Sequence, residues 1–505
     1  MFIRKRKNKS GTTSVVVVDK SGGKFKELVT IGVSENPFEI ARLCQKGKAW
    51  IKSHTCSPEL DLFEEREQTE RLLNNIEQLL INGTELLLGN IFDRIGFNSI
   101  DDPVFRHLVL SRLSFPSSKR ATVEYLKDYY DEDIDLSNIY RYMDKLYNTH
   151  KGEVQRISTD HTKHILGGVI GIVFYDVTTI YFETDHGDDL RKTGFSKEGK
   201  HQNPQIVLGL LVSLGGYPLT YEIFEGNKFE GHTMLKVVKD FTGKHDISDA
   251  IVVADSGLMT HANIEALQEG GYQYIIGGKI KNESNRVKDW VLSLNLEDRE
   301  FSEYSKAEGV RLIVGYSQKR ADKDKYNREK GIRRLEKLHR SKKLTKSSIN
   351  KRGYNKYLKM EGEVRVSIDY ELFEQDSRWD GLKGYITNTR LPAKEVYANY
   401  SHLWMIENAF RIAKSKLEIR PIFHFTSRRI EAHICICFAA YKVYKELERL
   451  LYEMGSDVTP DKAIYIAGTI TTIVIKLPNT NETIKRVLLL TDKQKKLAKL
   501  FEDAF

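Results

Sequence analysis

The pattern of hydrophobic and polar positions changes character near residue 165. Before that point, a Val run followed by a Gly-Gly turn predicts a β-hairpin over residues 14–32. Helical periodicity follows over residues 37–53 and again from about 60 to 82. The first third of the chain is therefore predicted to be a hairpin followed mainly by helices.

Residues 117–150 predict two further helices joined by a turn, with Asp135 or Ser137 as the N-cap of the second helix. Such a pair can be a helix-turn-helix that reads DNA, or an ordinary helical hairpin. Because the second helix carries only Arg141 and Lys145 as cations, the pattern leaves both interpretations open.

Strand patterns dominate after residue 165. Residues 164–184 predict one strand, and 204–227 predict two strands joined by a Gly-Gly turn. A helix over 231–245 leads to a strand, tight turn and helix over 249–271, and then to a strand over 272–280. The order β-β-β-α-β-α-β indicates an α/β core in which three antiparallel strands precede βα units.

Residues 281–390 break this order. A hairpin is predicted over 299–318, a Lys- and Arg-rich segment over 319–360, and strands again over 361–389. We interpret the region as a β-rich insertion with a basic helical segment, which is a candidate DNA track. The predicted divisions are an N-terminal region (1–150), a first core part (165–280), the insertion (281–390), a core helix region (391–450) and a C-terminal tail (451–505).

The stretch YANYSHLWMIENAFRIAKSK, residues 397–416, contains no Pro or Gly and predicts a single helix. At about 100° per residue, one face would carry four polar or aromatic side chains: Tyr400, Glu407, Arg411 and Lys414. Taken alone, this is a surface face with a Glu407–Arg411 pair one turn apart.

Composition adds a preference for an acidic partner. The 505-residue chain has a net charge of +9 and a sequence pI of about 9.0, which fits nucleic acid but also a merely basic enzyme. We expect a cytoplasmic protein, because the basic N-terminus lacks an apolar signal core and no run is long enough to span a membrane. All four cysteines are expected to be reduced: Cys44, Cys56, Cys435 and Cys437. Cys435 and Cys437 are predicted to lie in a buried helix.

Two aspartates follow buried runs in the predicted core. Asp176 ends GVIGIVFYD and Asp255 ends IVVAD, and ligands of α/β sheets bind where strands end. Each alone fits a turn residue, but with Glu407 they would form three carboxylates around one crevice. Such a group is stable when hard divalent cations neutralise it, which favours Mg²⁺ or Mn²⁺.

Three motifs together resemble the DDE transposases of bacterial insertion sequences: YDVTT (175–179), VVADSG (252–257) and YSHLWMIENAFRIAK (400–414). The branch that they resemble carries a Tyr-x2-Arg-x3-Glu-x6-Lys signature, and the subgroup with LWxIExxFR is closest. Tyr400, Glu407 and Lys414 match this spacing, whereas Leu403 stands where Arg is expected and Arg411 can substitute for it. The resemblance covers about 165–450.

The resemblance implies a ribonuclease H-like catalytic core interrupted by the insertion, in which Asp176, Asp255 and Glu407 hold two Mg²⁺ ions, with Mn²⁺ able to substitute. Water would cut the transposon end, and the freed 3′-hydroxyl would attack target DNA, sometimes through a DNA hairpin. The partners implied are double-stranded DNA at both transposon end and target, and a second copy of the chain, in a bacterial cytoplasm at the nucleoid.

The resemblance also implies DNA contacts around the signature. Tyr400, Arg411 and Lys414 would contact phosphates near the cleaved end, although Tyr400 fits a packed core aromatic equally well. Trp404 is a candidate for stacking a flipped base. Its angle from the Glu407 face, however, favours packing into the core.

Three other functions remain open from the sequence. A metal-dependent nuclease on the same core would cut DNA without joining it. A non-catalytic DNA-binding derivative would lack an acidic residue, and all three are present. A basic metabolic α/β enzyme lacks support because DKSGGK is neither a GxGxxG nor a Walker loop.

Overall fold

The computed structural model describes most of the chain. The described residues are 1–54, 69–70, 73–196, 199–245, 247, 249–258, 260–341, 343–345, 348–350, 353–361, 365–477 and 482–505. The predicted helix over 60–82 falls partly outside them, and so does Cys56.

Sixteen α-helices lie in the described residues: α1 Pro37–His54, α2 Gly83–Ile95, α3 Pro103–Ser114, α4 Lys119–Tyr130, α5 Leu136–Lys145, α6 Lys151–Ile165, α7 Met234–His245, α8 His261–Glu269, α9 Asn285–Ser293, α10 Gln318–Arg340, α11 Tyr370–Ser377, α12 Ala393–Ser401, α13 Trp404–Ser415, α14 Ser427–Glu453, α15 Pro460–Ala467 and α16 Asp492–Leu500.

Sixteen strands lie in the same ranges: β1 Phe2–Lys7, β2 Thr13–Asp19, β3 Lys26–Ser34, β4 Ile76–Leu80, β5 Ile172–Tyr181, β6 Gln205–Ser213, β7 Pro218–Glu225, β8 Ile251–Ala254, β9 Gln273–Gly278, β10 Phe301–Ala307, β11 Val310–Tyr316, β12 Leu358–Glu361, β13 Arg365–Ile368, β14 Leu382–Thr387, β15 Thr471–Lys476 and β16 Thr483–Leu488.

The smaller of two compact units comprises residues 1–79 and 473–486. Its antiparallel sheet β1-β2-β3 packs against α1 and buries the Val run of β2. The hairpin predicted over 14–32 is confirmed as β2 and β3. Strand β1 was not predicted because its sequence, FIRKRK, ends in four consecutive cationic residues and shows no alternation of apolar and polar positions.

The larger unit, residues 80–472 and 487–505, is built around an eight-stranded mixed sheet. Its strand order is β10-β11-β14-β9-β8-β5-β6-β7, with β5, β8 and β9 parallel and the other neighbours antiparallel. The predicted α/β class and the order β-β-β-α-β-α-β are confirmed. The predicted hairpin over 299–318 is also confirmed, and its strands β10 and β11 join this same sheet together with β14.

Both faces of the sheet are covered by helices. Alternate residues of β5 point to opposite faces, so Val173 and Tyr175 pack with α7, whereas Phe174 packs with residues of α13 and α14. Burial on both faces explains why the central strands read as continuous apolar runs. Cys435 and Cys437 lie buried in α14 as predicted.

The single helix predicted over 397–416 is wrong: the chain forms α12 and α13 with a break at His402–Leu403. Across the break, Leu403 N–H donates to the Tyr400 carbonyl and Met405 N–H to the His402 carbonyl, both three residues back. Such 3₁₀-type bonds need neither Pro nor Gly, so the residues that usually mark helix ends give no warning. The helix predicted over 60–82 is likewise wrong at its end, where β4 forms.

Candidate active site

The register of β5 and β8 brings two of the predicted carboxylates together. In this parallel pair Tyr175 lies opposite Ala254, and the next residue on each chain is Asp176 and Asp255. Neighbouring strands lie about 5 Å apart, so the two aspartates leave adjacent points of the backbone. They occupy adjacent positions because β8 ends at Ala254 while β5 continues.

The sequence pattern suggested that Asp176 ends its strand, but the strand continues beyond it. Strand β5 continues to Tyr181 and pairs there with β6, because TTIY is β-branched and aromatic. On its other side, however, β5 has no β8 partner beyond Tyr175. Asp176 therefore lies at the edge left by the end of β8, and not in a loop.

Glu407 approaches the same place from α13. This helix packs against β5, and Asp176 lies on the same side of β5 as Phe174, which packs with Ile406 and Phe410. Glu407 itself is exposed. All three carboxylates line one cavity of about 650 Å³.

A tyrosine fixes the second aspartate. Tyr400 is buried near the end of α12, and its hydroxyl donates a hydrogen bond of 2.9 Å to Asp255 Oδ1. Burial alone would raise the pKa of Asp255. The Tyr400 hydroxyl, the backbone N–H groups of Ser256 and Gly257, and the charge of Lys383 outweigh it and lower this pKa below its usual value. Asp255 is thus an ionised carboxylate held in one orientation.

Gly277 makes room for this hydrogen bond. It lies in β9, and a Cβ there would meet the Tyr400 hydroxyl at 2.5 Å and the Ser256 nitrogen at 3.0 Å. Any side chain at this position would therefore displace the tyrosine that holds Asp255.

Four cations also line the cavity and offset its carboxylates: Arg299, Lys319, Arg320 and Lys383. Lys383, on β14, lies 4.3 Å above the ring of Tyr400, and Arg320 comes from the basic helix α10. Burial and Arg320 lower the pKa of Lys383, while the charges of Asp255 and Glu407 act in the opposite direction. Lys383 thus interacts electrostatically with both Asp255 and Glu407.

The donor atoms suit a hard divalent cation, since the three predicted ligands offer only carboxylate oxygens. Within the described part of the chain, however, no group of three or more His, Cys, Asp or Glu side chains is arranged to hold a metal ion. Asp176 and Asp255 leave adjacent backbone positions, and Glu407 faces the same cavity from α13.

The four residues predicted to contact DNA divide into two pairs. Tyr400 and Trp404 line the cavity; Trp404 is 56% exposed, so the expectation that it packs into the core is wrong. Arg411 is exposed and donates to the side chain of Asn408 in the same helix, and Lys414 is half-buried. Neither is among the described residues that line the cavity. DNA contact by these four stays a prediction.

Sequence reasoning missed Gly277, Lys383 and Arg320. Lys383 lies in the stretch WDGLKGYITNT, and Arg320 lies at the start of the basic segment over 319–360. Only the pairing of distant strands brings Lys383 to the carboxylates, so no local pattern marks it.

A comparison with known protein families identifies the class of this chain. The model of the transposase DDE domain matches residues 167–442, more than half of the chain. The chain belongs to this transposase family. The match covers the segments that carry Asp176, Asp255 and Glu407, and no curated protein matches the chain.

Solved structures similar to this DDE transposase include the piggyBac transposase synaptic complex with hairpin DNA. It shares 9% identity at a TM-score of 0.39, covering 72% of this chain and 69% of that one. The Mos1 transposase paired-end complex with left transposon end follows at 12% identity and a TM-score of 0.16, covering 31% and 53%. The Mos1 mariner paired end complex with Mn shares 11% identity at a TM-score of 0.15, and the match covers 31% of this chain and 54% of that one. TM-scores this low support no inference about this chain.

No helix in the described ranges is both long and apolar enough to cross a bilayer.

Proposed function

We propose that the protein cuts the ends of a bacterial insertion sequence by phosphodiester hydrolysis and joins the 3′ ends to target DNA. The observation that carries this proposal is the meeting of Asp176, Asp255 and Glu407 in one cavity of a DDE-family chain. The strand order β7-β6-β5-β8-β9, in which three antiparallel strands precede two parallel ones, supports a ribonuclease H-like core.

Asp176, Asp255 and Glu407 are the residues proposed to hold two Mg²⁺ ions, with Mn²⁺ able to substitute. Bound there, the ions would stabilise the charge that develops on the attacking and leaving oxygens of the phosphodiester. Because the three carboxylates do not form a closed ligand group as they stand, we infer that Glu407 moves towards the aspartates when DNA and metal bind.

The chain's own residues prepare this reaction. Tyr400 holds Asp255 ionised and oriented, and Lys383 and Arg320 limit the repulsion between the carboxylates. In the first step a water oxygen bonds to phosphorus and the bond from phosphorus to the 3′-oxygen breaks, which frees a 3′-hydroxyl. In the second step that hydroxyl attacks a phosphodiester of the target and displaces its 3′-oxygen.

DNA contacts around the cavity complete the proposal. Exposed Trp404 at the cavity and the cations Arg411 and Lys414 further along α13 are proposed to hold the transposon end, and a homodimer to pair two ends. The Tyr-x2-Arg-x3-Glu-x6-Lys branch, with Leu403 in place of Arg, and a bacterial cytoplasmic, nucleoid-bound location are part of the same proposal.

The test uses DNA that carries the inverted repeats flanking the gene, a supercoiled target plasmid and Mg²⁺. We expect the wild type to release the end and produce joined molecules, while Asp176→Asn yields neither product and still binds the DNA. Cleavage without joined molecules would instead identify a nuclease. Equal products from wild type and Asp176→Asn would overturn the assignment of the carboxylates.

A further inference from the structure

Residues 417–425 display their apolar and polar side chains in an unusual arrangement. Burial alternates from Ile422 to Phe425, as it does in an extended chain. At its end, however, His424 is buried while Phe423 and Phe425 are 66% and 65% exposed. A buried polar residue between two exposed aromatics reverses the usual preference, so packing does not explain these two rings.

Buried His424 holds the segment in this orientation. The buried His424 ring lies 6.1 Å from the ring of Tyr140 and 5.6 Å from that of His433. Phe423 and Phe425 are therefore presented on a fixed support.

Three cations from two chain segments lie against aromatic rings here. The guanidinium of Arg191 is buried, donates to Asp188 and lies 5.6 Å from the ring of Phe425, so it supports this ring from within. Arg420 and Lys200 both lie over the ring of Tyr181, at 5.4 and 5.2 Å. We call the six side chains the aromatic-basic patch: Tyr181, Arg191, Lys200, Arg420, Phe423 and Phe425.

The patch continues the elements that carry two of the carboxylates. Tyr181 follows Asp176 by five residues on β5, which corresponds to about 17 Å of extended chain. Helix α13 carries Glu407 and leads directly into the segment that holds Arg420 and the two phenylalanines. Measured along β5, this separation corresponds to about five nucleotides, at 3.4 Å per nucleotide.

We infer that the aromatic-basic patch binds an unpaired DNA strand next to the cleaved position, an inference that rests on the proposed function. Exposed aromatic faces stack on bases of any sequence. Exposed Lys200 and half-buried Arg420 are the cations placed to contact the phosphates between the bases. Base faces are accessible only where the duplex is open. The occupant is therefore a single strand at or beside the transposon end.

The test measures binding of a fluorescently labelled oligothymidine to the full chain by anisotropy, without metal so that no cleavage occurs. Phe423→Ala/Phe425→Ala is expected to weaken binding by about tenfold or more, since each stacked base is worth that order of affinity. The matched control is Tyr452→Ala/Tyr465→Ala, which removes two exposed rings elsewhere in the same unit and is expected to change binding less than about twofold. Phe423→Tyr/Phe425→Tyr keeps both rings and is expected to keep the affinity.

Equal affinity of the wild type and the double Ala variant would overturn the inference. An equal loss for a blunt duplex competitor would also overturn it, because the patch would then contact backbone and not bases. A change in oligomer mass with unchanged DNA affinity would assign the patch to contact between copies instead. The proposed function is tested separately: if the wild type binds the strand as expected but never cuts end-containing DNA, it is the transposase reaction that fails.

Discussion

Replacing Gly277 with alanine tests how the site is assembled. The new methyl group would stand 2.5 Å from the Tyr400 hydroxyl and 3.0 Å from the backbone nitrogen of Ser256. Both distances are shorter than ordinary van der Waals contact. Since the Ser256 backbone leads directly from Asp255, the tyrosine is the group that must move, and it loses its 2.9 Å hydrogen bond to Asp255.

The expected cost has two parts. Overpacking of a well-packed site costs about 1–3 kcal/mol, and a hydrogen bond to a partly exposed carboxylate contributes about 1 kcal/mol. Gly277→Ala is therefore expected to lower the free energy of unfolding by about 2–4 kcal/mol, and Tyr400→Phe by about 1 kcal/mol. Phenylalanine lacks the hydroxyl that the methyl group meets, so adding Gly277→Ala to Tyr400→Phe is expected to cost only about 1 kcal/mol more.

Urea unfolding of the wild type, both single variants and the double variant measures this coupling. We expect the double variant to be more stable, by about 1–3 kcal/mol, than the sum of the single changes indicates. Strict additivity would show that Gly277 and Tyr400 do not share this contact, and would refute the packing argument.

Three further predictions concern the same cavity. Asp176→Asn, Asp255→Asn and Glu407→Gln are each expected to abolish cleavage of end-containing DNA while leaving binding, measured by gel shift, nearly intact; normal cutting by any of them contradicts its role. Trp404→Ala is expected to change the free energy of unfolding by less than about 0.5 kcal/mol because the ring is exposed, yet to reduce cleavage; a large loss of stability with normal cleavage would show a purely structural role. The cost of Tyr400→Phe in free energy of unfolding depends on pH, because the hydrogen bond from Tyr400 helps to lower the pKa of Asp255 in the folded protein. The stability that this bond contributes is complete above the unfolded pKa of about 3.9 and disappears as pH falls through the folded pKa. Urea titrations across acidic pH check it, and a cost that grows on acidification would contradict it.

The sequence predicted those features that local patterns encode. The order of strands and helices from β5 to β9 follows from apolar runs and turn residues. The hairpin of β10 and β11 was predicted for the same reason. The sequence also placed Asp176 and Asp255 after buried runs, and the parallel register of β5 and β8 makes them neighbours.

What the sequence did not predict depends on contacts between distant segments. Strand β14 pairs with β9 and β11 in the same sheet, and this pairing alone brings Lys383 to Asp255. The break at His402–Leu403 resets the helical phase between Tyr400 and the residues of α13, and it makes Trp404 the first residue of α13, where its ring is exposed at the cavity.

The most direct test of the central claim is a calorimetric titration of Mn²⁺ into the full chain bound to end-containing DNA. The account predicts two ions for each chain of the wild type and a loss of at least about tenfold in affinity for Glu407→Gln, since Glu407 must join Asp176 and Asp255 as a ligand. Unchanged Mn²⁺ affinity and stoichiometry in Glu407→Gln would show that this side chain holds no metal, and would contradict the account.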